Sequence, residues 1–229
     1  MKTDAGGCDK SEPRVDAASF IAANMVIAPA PSVPEINLYT AHPGSGLWRL
    51  VGRGEAGEEP PYWAYRWAGG MVLARYILDH PETVSGKRVL DLGAGSGIVG
   101  IAAMKAGATS VVAADIDENA VIAIGLNAAL NHVPVEAMLG DLTIGPPPAV
   151  DLIAVGDLFY EPSLALRVTA FLRQCLAARI QILVGDPGRA FLPHAHLLPV
   201  AEYPVSDFGE GDAIERKPSV VFSFIEAEE

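Results

Sequence analysis

Only two cysteines, Cys8 and Cys175, occur among the 229 residues. They offer neither a disulfide framework nor a metal-binding spacing, and Cys175, in an apolar helical stretch, reads as a small core residue. Thiols this sparse fit a reducing compartment, and a cytoplasmic location is expected. Basic residues are also scarce: 16 Lys and Arg stand against 28 Asp and Glu, a net charge of −12. That balance opposes a phosphate backbone, so no nucleic-acid partner is expected. No apolar run reaches the ~18 residues a membrane helix needs. Residues 17–30 are apolar and end in Ala28-Pro29-Ala30, but Asp4, Asp9, Glu12 and Asp16 precede them, so the positive start of a secretory leader is missing. The five histidines form no convincing ligand pattern, and no metal site is expected.

What the chain has is apolar mass and glycine. Half its residues are hydrophobic, enough for a substantial core. Residues 1–60 read as a small N-terminal extension: a polar, disordered start, a helix over 15–28 ended by Pro29, Pro31 and Pro34, a short strand at 36–40 and a mobile loop over 52–61. Residues 61–229 alternate strand and helix. Strands are expected at 88–92, 110–114, 135–139, 150–155 and 180–184, and helices at 71–80, 98–106, 118–131, 163–177 and, briefly, 188–193. Two last strands, 196–205 and 219–225, would form a hairpin around a long loop. The fold class is α/β, Rossmann-like, with a mostly parallel seven-stranded sheet and an antiparallel C-terminal hairpin. The protein is read as a monomer.

The stretch from Val89 to Gly100 organises this alternation: a buried strand, a glycine turn and the opening of a helix. Glycines let the backbone turn sharply and lie against a ligand, and the helix start points free N–H groups at it. Gly95-Ser96-Gly97-Ile98-Val99-Gly100 satisfies the dinucleotide pattern, with Asp115 at a ribose-binding distance. Three features favour S-adenosylmethionine instead. Asp91 lies inside the strand, Gly93, Gly95 and Gly97 make a tight G-x-G-x-G turn, and Asp141 ends the next strand, where it can take an adenine amino group. Asp115, Asp141, Asp157 and Asp186 each follow a predicted strand end, the rim on which open α/β sheets bind ligands.

On these residues the chain resembles the class I S-adenosylmethionine-dependent methyltransferases. The resemblance implies that Asp115 holds the ribose hydroxyls, Ile116 and Leu142 pack on the adenine, Asp141 takes its amino group, and Asp91 with the turn amides holds the methionine end. Gly156-Asp157-Leu158-Phe159-Tyr160-Glu161-Pro162 lacks the double proline of relatives that methylate nucleic-acid amines, amides or glutamine. Its D-x-x-Y is similar to that of protein-lysine methyltransferases. With four aromatics in the six positions 62–67 and Gly69-Gly70 after them, the chain looks most like the lysine methyltransferases that act on the β-subunit of electron-transfer flavoprotein. Val33-Pro34-Glu35-Ile36 and the run from Gly185 to Arg189 share the likeness.

That resemblance implies transfer of methyl from S-adenosylmethionine to a lysine of that β-subunit. Asp157 and Tyr160 would be catalytic, Asp157 by positioning the amine. Trp63, Glu161 and Asp186 would join them in binding the protein substrate, with Trp67 and Gly69 beside the cofactor. A ribosomal-protein methyltransferase, a small-molecule amine methyltransferase and a non-catalytic cofactor-binding module are the alternatives.

Overall fold

The computed structural model describes residues 16–51, 60–205 and 218–227. The expected disordered start lies outside the described residues, as do most of the loop over 52–61 and most of the loop between the last two strands.

A seven-stranded sheet forms the centre, built from β3 (Arg88–Leu92), β4 (Ser110–Asp115), β5 (Glu136–Leu139), β6 (Leu152–Gly156), β7 (Gln181–Asp186), β8 (Leu197–Tyr203) and β9 (Ser219–Phe224), in the order β5-β4-β3-β6-β7-β9-β8. The first five strands in that order run parallel, and β9 pairs antiparallel with both β7 and β8. Val89, Leu90 and Leu92 of β3 and Leu152, Ile153, Ala154 and Val155 of β6 are buried, as strands covered on both faces must be. Helices α3 (Ala68–Asp79), α4 (Ile98–Lys105), α5 (Glu118–Leu130) and α6 (Pro162–Ala177) provide that cover. The order reverses between β3 and β6, and this switch point places a crevice above their carboxyl ends.

The N-terminal part departs from expectation. The helix anticipated over 15–28 is α1 (Ala17–Asn24), capped by Asp16, whose side chain accepts the Ser19 N–H. The chain then turns into strand β1 (Val26–Ala30), paired antiparallel with β2 (Val33–Thr40). Val26 and Ile27 are β-branched and suit the strand. Asn127 of α5 and Asn131, which caps its C-terminus, hold this hairpin. Asn131 accepts the Asn37 N–H and donates to the Asn37 carbonyl. Asn127 accepts the Tyr39 N–H and donates to the Ser96 carbonyl, so one buried amide ties the hairpin to the glycine turn. A four-residue helix, α2 (Trp48–Val51), follows.

Two further expectations change. The helix expected from Met71 begins three residues earlier, with Gly69 and Gly70 in its first turn. No helix forms over 188–193: Asp186 accepts the N–H groups of Gly188 and Arg189, and this side-chain-capped turn takes the place of a helical one.

Candidate active site

Above the switch point lies a cavity of about 440 Å³. The strand order sets the order of groups along its rim. Asp141 follows β5, Asp115 ends β4, the glycine turn follows β3, Asp157 follows β6, and Asp186 ends β7.

The glycine turn is built as the sequence anticipates. Gly93, Gly95 and Gly97 all take positive φ, a region that costs other residues dearly. The N–H groups of Gly93 and Ala94 donate to the Ala114 carbonyl, and the Gly95 N–H donates to Asp115 Oδ2 at 2.8 Å. Asp115 Oδ1 accepts the Asp117 N–H. Burial raises the Asp115 carboxyl above its usual range, with these amides pulling the other way. Asp91 accepts the Gly100 N–H at 2.9 Å, and burial pushes its carboxyl up to about 7. Asp141 accepts the Thr143 N–H, and Arg167 lies 3.5 Å from its other oxygen.

Asp157 occupies the opposite end. It is one of three non-glycine residues at positive φ among the described residues, a conformation sustained only where surrounding contacts impose it. Its Oδ2 accepts the Gly70 N–H at 2.9 Å, and its Oδ1 accepts Arg189 Nη2 at 2.7 Å and Nε at 3.2 Å. Burial raises its pKa to about 6, while the Arg189 charge opposes that rise. Tyr62 forms the mouth with its neighbours: its ring lies 5.7 Å from both Trp67 and Tyr160, and its carbonyl accepts the Trp67 indole N–H at 2.8 Å. Glu161 caps α6 by accepting the Ser163 and Leu164 N–H groups, and the Ser163 hydroxyl bond holds its carboxyl below the usual range.

Most of the anticipated residues therefore line one cavity: Trp63, Trp67, Asp91, Gly93, Gly95, Asp115, Ile116, Asp141, Leu142, Asp157, Tyr160 and Glu161. Three do not. Gly69 faces the sheet, where a Cβ would collide with the Gly185 carbonyl and the Asp157 carboxylate. Its role is to seat α3 on β7 and thereby bring the Gly70 N–H to Asp157. Gly97 caps α4 and lies against Ile124. Asp186, 0% exposed, stands behind Arg189 and caps its turn. Trp63 lines the cavity but is only 2% exposed, and its ring packs with Ile21, Met25, Ala120 and Ala123. It is thus a floor of the site, and the exposed aromatics at the mouth are Tyr62 and Tyr160. Sequence reasoning assigned no role to Arg189 or Arg167: Arg189 entered only as the last residue of the run from Gly185, Arg167 belongs to no motif, and the folded arrangement brings both to the rim.

The fold and this rim define a class I S-adenosylmethionine-dependent methyltransferase. The family profile of ribosomal protein L11 methyltransferase (PrmA) matches residues 75–153. Trm5b of Pyrococcus abyssi shares the fold, with a TM-score of 0.54 at 16% identity over 88% of this chain and 56% of its own. Two relatives narrow the assignment. The electron transfer flavoprotein beta subunit lysine methyltransferase of Xenopus laevis is 38% identical over 90% of this chain and 86% of its own length. The human protein of that description is 43% identical over 62% of this chain and 57% of its own. The chain belongs to the electron transfer flavoprotein beta subunit lysine methyltransferase family.

The methyl donor of this class, S-adenosylmethionine, fits the residues present. Asp115 spends one lone pair of each oxygen on an amide, which leaves acceptor capacity for a ribose diol. Ile116, 57% exposed, offers an apolar face beside it. Asp91, beside the glycine turn, suits a ligand carrying positive charge at its methionine end.

Proposed function

We propose that this protein methylates lysine side chains of the β-subunit of electron-transfer flavoprotein, acting as a cytoplasmic monomer without a nucleic-acid ligand. The observation that carries the reading is the rim order. The carboxylate and phenol of the D-x-x-Y segment, Asp157 and Tyr160, open onto the same cavity as the adenosine-binding acids, two strands along from Asp115. An acceptor entering at that end meets the donor's methionine end and not its adenine.

When bound, S-adenosylmethionine would supply an electrophilic methyl group on a sulfonium, with the sulfide as leaving group for an acceptor nitrogen that has a free lone pair. The chain's residues prepare the acceptor. A lysine side chain is long and apolar up to its tip, and Tyr62, Trp67 and Tyr160 frame such an entry. Free lysine has a pKa of about 10.4, so the site must receive a nitrogen without its extra proton. Asp157 orients the amine. It is a weak base, with its pKa raised only to about 6. Alignment of nitrogen and methyl group can then contribute roughly 7–11 kcal/mol of the acceleration.

Labelled S-adenosylmethionine tests the reading when offered with purified electron-transfer flavoprotein, with ribosomal protein L11 and with small amines in parallel. Label on the β-subunit is the expected result. Label confined to L11 or to a small amine would overturn it.

A further inference from the structure

Asp157 is already engaged on two sides before any acceptor arrives. Gly70 takes Oδ2 and the Arg189 fork takes Oδ1. Arg189 is itself braced. Its guanidinium lies 5.6 Å over the Trp67 ring, its Nε is 4.0 Å from Asp186 Oδ2, and its backbone N–H is tied to Asp186 Oδ1 at 2.7 Å. The side chain is 19% exposed. Among the described residues, the charged groups facing Asp157 are Asp186, the last residue of β7, and Arg189, on the turn that follows it. Helix α3 contributes the Gly70 N–H and has no ionisable side chain before Arg75, and β6 contributes none. Tyr160, three residues on, contributes a phenol to the same rim.

We propose that Arg189 is a positioning residue of methyl transfer: braced on Trp67 and the Asp186 turn, it fixes the Asp157 carboxylate toward the mouth and keeps a cation beside the amine seat, so that the acceptor nitrogen settles there uncharged. The inference rests on lysine being the acceptor. A carboxylate alone stabilises an ammonium and keeps the proton on it. A guanidinium that shares the carboxylate occupies its lone pairs and repels a second cation. Arginine does not surrender its own proton, so the acceptor's proton leaves to solvent through the mouth. The planar fork matters as well as the charge, because it holds one carboxylate orientation.

The variants Arg189→Gln and Arg189→Lys test this on the β-subunit across neutral and alkaline pH. Arg189→Gln is expected to lose about tenfold or more in kcat at neutral pH, with KM for S-adenosylmethionine within about twofold of wild type. Both limbs of its pH profile should move up by about one unit: the acceptor keeps its proton longer, and Asp157, without its counter-ion, is pushed further up by burial and Asp186. Arg189→Lys should keep the wild-type limbs at reduced kcat. Calorimetry with S-adenosylhomocysteine bound gives a readout apart from turnover: Arg189→Gln should bind the β-subunit more tightly at neutral pH, because its seat then retains a charged lysine. A wild-type pH profile in Arg189→Gln would overturn the proposal, as would a parallel loss of cofactor affinity, which marks a brace of the fold only. Failure of the wild-type enzyme to methylate any lysine of the β-subunit would overturn the substrate reading, and this inference with it.

Discussion

Asp115 Oδ2 accepts the Gly95 N–H at 2.8 Å across 20 residues of sequence. Asp115, the acid proposed to hold the ribose, and the glycine turn are therefore one unit: moving either moves the other. Asp115→Ala removes both the diol acceptor and the tether of the turn. It should weaken S-adenosylmethionine binding by about 1.5–3 kcal/mol, the range for a lost charged hydrogen-bond pair. Asp115→Asn keeps an oxygen for Gly95 and should lose less. Calorimetry on both variants checks this, and unchanged affinity in Asp115→Ala would contradict the assignment.

Asp91 makes the stability of the ligand-free protein depend on pH in a direction opposite to that of a salt-bridged acid. In the fold its carboxyl holds a proton up to about 7, against an ordinary value of 3.8. Between those values the folded state binds the extra proton, so this group's contribution to stability falls as pH rises through that window and is level above it. Asp91→Asn keeps an acceptor for the Gly100 N–H and has nothing to titrate. Urea denaturation at a series of pH values should show wild type losing stability relative to Asp91→Asn from acid to neutral pH. A constant difference between the two would contradict the burial argument.

Gly69 and Gly185 are in backbone contact where α3 crosses β7. Gly69→Ala has no room for its methyl group, and overpacking of this kind costs about 1–3 kcal/mol. The displaced helix would also carry the Gly70 N–H away from Asp157. Thermal denaturation should show the loss, and methyl transfer should fall further than S-adenosylmethionine affinity. Equal stability with full activity would show that α3 can shift freely.

The positions of the residues proposed to hold the cofactor were legible because they obey local rules. A glycine turn needs positive φ, and acids at strand ends reach a rim that the strand order fixes. Asp91, Gly93, Gly95, Asp115 and Asp141 stand where those rules place them. The acceptor half depends on tertiary packing. Gly69 and Asp186 carry the right residue types but face the sheet and a turn, and no periodicity distinguishes those faces. Arg189 reaches Asp157 across 32 residues only because β6 and β7 are neighbours. The strand at Val26–Ala30 was hidden by prolines, which an edge strand tolerates. The helix not formed after Asp186 was hidden by a cap whose side chain supports a turn equally well.

Peptide mapping of the β-subunit by mass spectrometry, after reaction with wild type and with Asp157→Ala, bears most directly on lysine transfer at the Asp157 end of the rim. Methyl groups should appear on lysine side chains with the wild-type enzyme and be absent with the variant, while calorimetry shows that the variant still binds S-adenosylmethionine. Methyl groups on another residue type, or undiminished lysine methylation by Asp157→Ala, would contradict it.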